Sequence, residues 1–303
     1  MTRQRYIPST FAIFLVCVCS VAAQTPGTVV PKEVSATAAA AEAVSKAPDI
    51  SRQQKELFLK TAKVLSKEFL ESGTTKSLRA TLRDGELTHE AHIQFVDIYK
   101  PSWQGQDGSV EEHFRDTYKF NIAAYRLDKM LGLNMVPVSV EREVEARIGA
   151  VTWWVDNLRM TEVERRDRGI KPPAAQFWVD QVNKVKVFDR LIHNIDRNQE
   201  NLLITNDWKL WMIDHTRAFR TSKTLLKPEE LSRCDYHLLA AMRKLNRTDL
   251  ENELGAFLRT EEIAALLARR DELVRFFESA ISKKGDDAVL TGIPRTTPVV
   301  AIP

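Results

Sequence analysis

The sequence is poor in cysteine, in glycine and in net charge. Its 303 residues include 3 Cys and 11 Gly, and 44 basic side chains stand against 41 acidic ones. So few cysteines exclude a small disulfide-stapled scaffold, and so little glycine excludes collagen-like chains. A net charge of +3 lacks the basic excess of dedicated nucleic-acid-binding proteins, so we expect no nucleic acid partner. The composition is globular, and the chain is long enough for one two-lobed domain or two small ones.

A short hydrophobic run near the N-terminus, from Phe11 to Cys19, follows Arg3 and Arg5. It is shorter than the roughly 20 apolar residues of a membrane-spanning helix. Val21-Ala22-Ala23 then supplies the small residues that signal peptidases accept. Residues 1–23 are therefore predicted to be a cleaved signal peptide, with an uncleaved anchor as the alternative. We expect the mature chain to be secreted or periplasmic, without a stable membrane span.

Composition and periodicity divide the rest of the chain. Residues 24–50 are rich in Ala, Val, Pro, Thr and Ser without an apolar period, and are predicted to be a flexible spacer. Residues 51–155 are predicted to form an N-terminal helix and a strand-rich lobe, and residues 156–284 a helical lobe. Residues 285–303 show no periodicity and are predicted to be a disordered tail.

The predicted lobe begins with a helix over residues 51–71, which has Leu57, Leu65 and Phe69 on its apolar face and ends at Gly73. From Ser77 the hydrophobic period changes to two, which is typical of strands.

Asp84-Gly85 predicts a hairpin turn between two strands. The second extended stretch is expected to end at Lys100-Pro101, because proline cannot donate to a β-ladder. A helix from about Val110 to Leu131 is predicted to stop at Gly132. Strands over residues 136–144 and 148–155 should complete the sheet.

The chemically informative segment lies between Val187 and His215. An apolar helix leads into a polar loop with Asp196 and Asn201, and Asp214 ends the second of two short apolar runs. Phosphoryl transfer uses these groups, because a carboxylate orients the acceptor hydroxyl and hard oxygen ligands hold Mg²⁺. The Asp-x₄-Asn spacing matches the kinase catalytic loop. Asp214 stands where kinases carry the metal-binding Asp of Asp-Phe-Gly, although His-Thr follows it here.

These residues resemble a known signature. Asn194-x-Asp196-Arg197-Asn198-x-x-Asn201 and Ile213-Asp214-His215 look like the motifs of atypical kinase-like proteins. That group includes the four-jointed-type secretory-pathway kinases, the phosphatidylinositol kinase-like enzymes and the Hip-type toxin kinases. Ile98-Tyr99-Lys100-Pro101 looks like the strand that carries the phosphate-binding lysine. The segment from Ala123 to Leu133 looks like the helix and loop that follow this strand in the secreted members.

The resemblance covers about Gly73 to Phe219 and implies an α+β fold of the two-lobed protein-kinase type. A small antiparallel sheet would form the N-lobe, and helices would form most of the C-lobe. A nucleotide and a divalent metal would lie between the two lobes. Trp153-Trp154 would then fall near the connection of the lobes, where an adenine would stack.

The resemblance also implies a role for each matching residue. Asp196 would be the catalytic base, and Lys100 would neutralise the phosphates of ATP. Asn201 and Asp214 would hold Mg²⁺ or Mn²⁺. Asn121 stands where the glutamate partner of the lysine is expected, and a neutral amide supplies no counter-charge.

Several features depart from the kinase pattern. The only candidate for a glycine-rich phosphate loop is Gly73-Thr74-Thr75-Lys76-Ser77. Asp128, or one of the acidic residues between positions 111 and 116, could supply the missing carboxylate. His89 and His92 are three residues apart, which on a strand places them on opposite faces and argues against a shared metal site.

Three functions remain open. The first is an exported kinase that transfers phosphate from ATP to a hydroxyl on an unknown protein, sugar or lipid. The second is a pseudokinase that keeps a nucleotide or metal pocket as a binding or regulatory module. The third is a nucleotidyl transferase with the same fold.

Overall fold

A computed structural model describes residues 50–70, 77–105, 108 and 110–294 of the chain. The predicted signal peptide and all but the last residue of the predicted spacer lie outside these residues. So does most of the candidate phosphate loop, of which only Ser77 is described. The chain separates into two units, Met1–Asp49 and Ile50–Pro303, and all the described residues belong to the second.

Helices and strands alternate irregularly along the chain. The first part contains α1 (Arg52–Thr61), β1 (Lys63–Phe69), β2 (Leu78–Asp84), β3 (Leu87–Gln94), β4 (Asp97–Gln104), β5 (Val110–Thr117), α2 (Lys119–Leu131), β6 (Ser139–Val144) and β7 (Arg147–Trp153). The second part contains β8 (Leu158–Thr161), α3 (Glu162–Asp167), α4 (Ala175–Leu191), β9 (Leu202–Thr205), β10 (Leu210–Met212), β11 (Cys234–Asp235), α5 (Tyr236–Lys244), α6 (Arg247–Leu254), α7 (Thr260–Lys284), α8 (Asp286–Val289) and β12 (Leu290–Thr291).

The first helix is shorter than its periodicity predicts. A capping box between Ser51 and Gln54 starts α1, but the chain leaves helical geometry at Ala62 and continues as β1. The prediction of one helix over residues 51–71 is therefore wrong. Leu57 and Phe69, assigned to its apolar face, are 61% and 71% exposed. The second half of the segment gains ladder hydrogen bonds with β2 instead, which local periodicity does not reveal.

A five-stranded antiparallel sheet follows, in the order β1-β2-β3-β7-β6. The hairpin between β2 and β3 turns at the predicted glycine, Gly85, whose φ of 57° suits a residue without a side chain. The two later strands, β6 and β7, occur where alternation predicts them. They join the sheet beside β3, so that β3 occupies its centre.

β4 and β5 form a separate hairpin, and two predictions for this region are wrong. β4 does not end at Pro101 but continues to Gln104, because both strands of a two-stranded hairpin are edges and can accommodate proline. The residues from Val110 to Thr117 form β5 rather than the start of a helix. The helix α2 begins only at Lys119, and it ends as predicted at Gly132, which has a φ of 67°.

α2 is a core helix. Its buried side chains include Ile122, Tyr125 and Leu127. Asp128 on this helix does not serve a lysine of the sheet. It accepts hydrogen bonds from the backbone N–H groups of the loop after α2 and forms an ion pair of 2.7 Å with Arg52.

The rest of the chain is mainly helical. α4 and α5 pack on the 25-residue helix α7, and β9 and β10 form the hairpin predicted near residues 202–214. β8 was not predicted, and it pairs with β9. The antiparallel sheet followed by helices confirms the predicted α+β class. No helix in the described ranges is long and apolar enough to cross a membrane.

One prediction for the C-terminal region is wrong. The predicted tail begins with α8 and with β12, which pairs in parallel with β11. On α7, Arg269 is fully buried and donates to the carbonyls of Leu191 and Arg220. Residues 295–303 lie outside the described part of the chain.

Candidate active site

A cleft of about 540 Å³ lies between the five-stranded sheet and the helical part. β3, β7, α2 and the β9–β10 hairpin all contribute to its walls. Many of the lining side chains are apolar or aromatic, among them Val136, Trp153 and Met212. Such a cavity has the size and character of a small-molecule site.

Three of the predicted site residues line this cleft together: Asn121, Asn201 and Asp214. The β9–β10 ladder explains the proximity of the last two. Leu202 pairs with Met212, and the N–H of Ile213 donates to the carbonyl of Asn201 at 3.1 Å. The open end of the hairpin therefore places Asn201 opposite Ile213, the residue before Asp214.

One arginine links this end of the β9–β10 hairpin to α4. The guanidinium of Arg197 donates to the carbonyls of Asn201 and Ile213 at 3.1 and 2.7 Å. It also forms a buried ion pair of 3.0 Å with Asp189 on α4, and approaches Nε2 of His215 at 3.0 Å. Asp189 thus pairs with Arg197 and does not line the cleft.

Asp196 lies beside the cleft rather than in its wall. Its side chain is 55% exposed and forms an ion pair of 3.4 Å with Arg217. The backbone N–H of Asp196 donates a hydrogen bond of 3.2 Å to the side-chain oxygen of Asn194, which stabilises the loop. The charge of Arg217 also interacts with Asp214, which connects Asp196 electrostatically to the cleft.

The prediction that Lys100 lies in the site is wrong. Lys100 is exposed on β4, and its ammonium lies 6.0 Å from the centre of the Phe114 ring across the hairpin. It does not line the cleft. The cause is the extra hairpin, which carries this strand away from the five-stranded sheet.

The residue that meets Asn121 is Gln94, at the end of β3. The side-chain N–H of Asn121 donates to Oε1 of Gln94 at 2.8 Å, and both residues are buried. The signal that could have identified this strand is the alternation of apolar Ala91 and Ile93, which are buried on β3.

The described lining of the cleft carries no Lys or Arg. Its charged members are Glu164, Glu200 and Asp214. Burial of its imidazole ring lowers the pKa of His92 to about 4, so this histidine of the cleft wall is neutral near pH 7. Burial and the nearby Arg197 lower the pKa of His215 in the same way. A polyphosphate in the cleft would therefore need a divalent cation to offset its charge.

The residues present suit such a cation. No group of three or more His, Cys, Asp or Glu side chains in the described residues could hold a metal by itself. The carboxylate of Asp214 and the amide oxygen of Asn201 nevertheless offer two hard oxygen ligands in one wall. Mg²⁺ is often held by one or two carboxylates together with substrate phosphates. The metal would thus be expected to bind together with a nucleotide.

The tryptophans have different surroundings. The ring of Trp153 is buried and stacks on His89, with a centroid separation of 3.6 Å. Lys55 also lies over that ring, at 4.5 Å. Trp154 is only partly buried, and the guanidinium of Arg79 lies 4.6 Å from its ring centre. Both tryptophans line the cleft.

No family model and no curated protein matches this chain. Solved structures that are similar to it include two from the secretory-kinase group. A structure of hydra Fam20 with sugar has a TM-score of 0.57 and 15% identity, covering 78% of this chain and 90% of that chain. The Golgi casein kinase with Mn/ADP bound has a TM-score of 0.57 and 12% identity, covering 79% and 78%.

This chain has an atypical kinase-like fold. The predicted two-lobed architecture is thereby confirmed. In kinases a lysine on the third strand and a glutamate on the following helix form an ion pair that is required for activity. In this chain the end of β3 and α2 are joined by a neutral side-chain contact, the hydrogen bond between Gln94 and Asn121.

Proposed function

We propose that this protein is an exported phosphotransferase that uses ATP and Mg²⁺ or Mn²⁺ to phosphorylate a hydroxyl group. One observation carries the proposal. Asn201 and Asp214 both lie in the wall of a kinase-like cleft, and Asp196 lies on the loop just before them. This is the arrangement of groups that phosphoryl transfer requires.

Each residue has a defined task in the proposed reaction. Asp214 and Asn201 would hold the divalent metal, which would offset the charge of the phosphates. Asp196 accepts the proton of the acceptor hydroxyl. The acceptor oxygen forms a bond to the γ-phosphorus as the bond to the β,γ-bridging oxygen breaks, and ADP leaves. The apolar part of the cleft encloses the adenine of ATP.

Two observations support export and divalent metal use. The N-terminal sequence has the pattern of a signal peptide, with Arg3 and Arg5 before the hydrophobic run. One similar structure is a Golgi kinase by name and contains Mn and ADP. The acceptor is a hydroxyl of a protein, sugar or lipid.

A second candidate function is that of a pseudokinase. The neutral pair of Gln94 and Asn121 favours it, because no ammonium of β3 is present to position the phosphates. Such a protein would bind a nucleotide with metal and regulate a partner without transferring phosphate. A nucleotidyl transferase is the third possible function, and the test must distinguish it from the other two.

Labelled ATP tests the proposal. The purified chain is incubated with Mn²⁺ or Mg²⁺ and either γ-labelled or α-labelled ATP, with casein, a glycan and a lipid mixture as acceptors. We expect γ-labelled ATP, but not α-labelled ATP, to label an acceptor. The Asp196→Asn variant should transfer no label from either. Label from the α position would indicate a nucleotidyl transferase. Metal-dependent binding of ATP without any transfer would instead assign the pseudokinase function.

A further inference from the structure

The guanidinium of Arg217 lies among three carboxylates beside the cleft. Its Nε donates to Asp116 at 2.8 Å, and its Nη1 lies 3.4 Å from Asp196. Its charge also interacts with that of Asp214. The side chain is 38% exposed, so a ligand that approaches these acids can reach it.

Asp116 fixes the position of this arginine through its hydrogen bond to Nε. Its carboxylate is buried near the end of β5, and Oδ1 has no hydrogen-bond partner among the described residues. A buried carboxylate with one free oxygen depends on its cation, because an unpaired charge in the interior is costly. The N–H of Thr117 donates to the carbonyl of Thr216 at 2.9 Å, so the backbone also holds Asp116 and Arg217 together.

The electrostatics keep Arg217 charged. Burial lowers the pKa of its guanidinium, but the hydrogen bond to Asp116 and the charges of Asp116, Asp196 and Asp214 outweigh burial and raise it. An arginine is protonated near neutral pH in any case. In contrast, the described residues that line the cleft include no lysine or arginine.

We infer that Arg217 supplies the phosphate-binding cation that β3 lacks, and that it contacts the terminal phosphate of a nucleoside triphosphate. Asp116 is its positioning residue. The pair of Asp116 and Arg217 would thus do the work of the lysine–glutamate pair. This inference rests on the proposed function.

The position of Arg217 explains which phosphate it would contact. Asp196 orients the hydroxyl that attacks the γ-phosphorus, and Asp214 helps to hold the metal on the phosphates, so a cation near both acids is near the reacting group. An arginine offers several N–H donors to phosphate oxygens in a fixed plane. A diphosphate, which lacks the terminal group, would not gain this contact.

Calorimetric titration of the full chain with Mn²⁺ and either ADP or the non-hydrolysable triphosphate AMP-PNP tests the inference. We expect the wild type to bind AMP-PNP about tenfold more tightly than ADP, as one charge-assisted contact would give. Arg217→Gln should lose this preference while its ADP affinity changes less than about twofold. Arg217→Lys should retain part of the preference because the charge remains.

Two further variants separate positioning from structure. Asp116→Asn should also lose the preference for AMP-PNP, and Asp116→Glu should recover part of it. Arg243→Gln is the matched control, because Arg243 is 44% exposed and pairs with Glu278 on the helical part. It should bind both nucleotides as the wild type does, and thermal melting should show every variant folded.

The outcomes distinguish this inference from the proposed function. If the wild type binds neither nucleotide with Mn²⁺, the proposed function fails and the inference falls with it. If it binds both, but Arg217→Gln keeps the preference for the triphosphate or binds it more tightly, only the inference is overturned. Arg217 would then be a structural partner of Asp116, or a side chain that blocks Asp196.

Discussion

The side-chain amide of Asn121 joins two elements of the cleft. Its N–H donates to Oε1 of Gln94 at 2.8 Å, and its oxygen accepts the backbone N–H of His215 at 2.8 Å. One neutral side chain therefore holds the end of β3 and the residue after Asp214 in fixed positions. Both side chains line the cleft and neither is charged, so the contact is a point at which activity can be probed.

Placing a charged pair at positions 94 and 121 should require both changes. Asn121→Glu alone would place a carboxylate at a site that is 8% exposed, opposite an amide. Gln94→Lys alone would place an ammonium at a site that is 3% exposed. Each single variant should lower the free energy of unfolding by about 3 kcal/mol, because an uncompensated buried charge is costly. The double variant should recover more than half of that loss.

A double-mutant cycle by urea unfolding measures this coupling, and Mn²⁺-dependent ATP binding is measured on the same four proteins. We expect the double variant to bind ATP more tightly than the wild type. Additive losses in the double variant would show that positions 94 and 121 do not form the equivalent of the kinase ion pair.

Asp214→Asn should abolish Mn²⁺-dependent nucleotide binding with little effect on stability. The side chain is exposed, and its φ of 52° lies in the left-handed region that asparagine tolerates. The free energy of unfolding should change by less than about 0.5 kcal/mol. The control is Asp207→Asn, in the turn at the other end of the same hairpin. Equal ATP-induced thermal shifts in the wild type and Asp214→Asn would remove Asp214 from the site.

Asp189→Asn should destabilise the fold strongly. The side chains of Asp189 and Arg197 are 4% and 11% exposed, so the change leaves a buried guanidinium without its counter-charge. We expect the free energy of unfolding to fall by about 3–5 kcal/mol. Nucleotide affinity should fall as well, because Arg197 also binds the carbonyls of Asn201 and Ile213.

An exposed ion pair is the control for that measurement. Asp97 is 43% exposed and pairs with Lys119 at 3.1 Å. Asp97→Asn should cost less than about 1 kcal/mol, as is usual for surface pairs. A loss for Asp189→Asn no larger than that would mean that the buried pair does not hold the loop.

Stability should fall in mild acid because of buried histidines. Burial, with the charges of Arg269 and Arg220, lowers the pKa of His193 to about 4. In the unfolded chain a histidine has a pKa of about 6.5. Between these two values the unfolded state binds more protons than the folded state, so the free energy of unfolding decreases as the pH falls from about 6.5 toward 4.

His193→Asn isolates this contribution. Its φ of 51° again suits asparagine, and the variant lacks the titrating ring. Urea unfolding at pH 7.5 and at pH 5.5 should show a smaller loss in the variant than in the wild type, by up to about 1.4 kcal/mol for each pH unit below 6.5. The same pH dependence in both proteins would show that His193 is not neutral in the folded state.

Much of the site could be predicted from sequence because it depends on short distances along the chain. Asp196 and Asn201 lie in one loop, and a single hairpin brings Asn201 beside Asp214, so spacing and strand pattern were enough. The helix stop at Gly132 is equally local. By contrast, Arg217 and Asp116 are far apart in sequence, and neither carries a motif that would link them.

The sequence by itself therefore determined the α+β class, the Asp-x₄-Asn spacing of Asp196 and Asn201, and the hairpin that leads to Asp214. Only the tertiary structure decided which strand faces α2. The strand that ends in Gln94 and the strand that contains Lys100 both precede that helix and both look extended in sequence. Sheet order places the first of them at the centre and the second in a separate hairpin. The reason is physical: strand pairing is a long-range choice set by burial and ladder hydrogen bonds, which a local pattern does not encode.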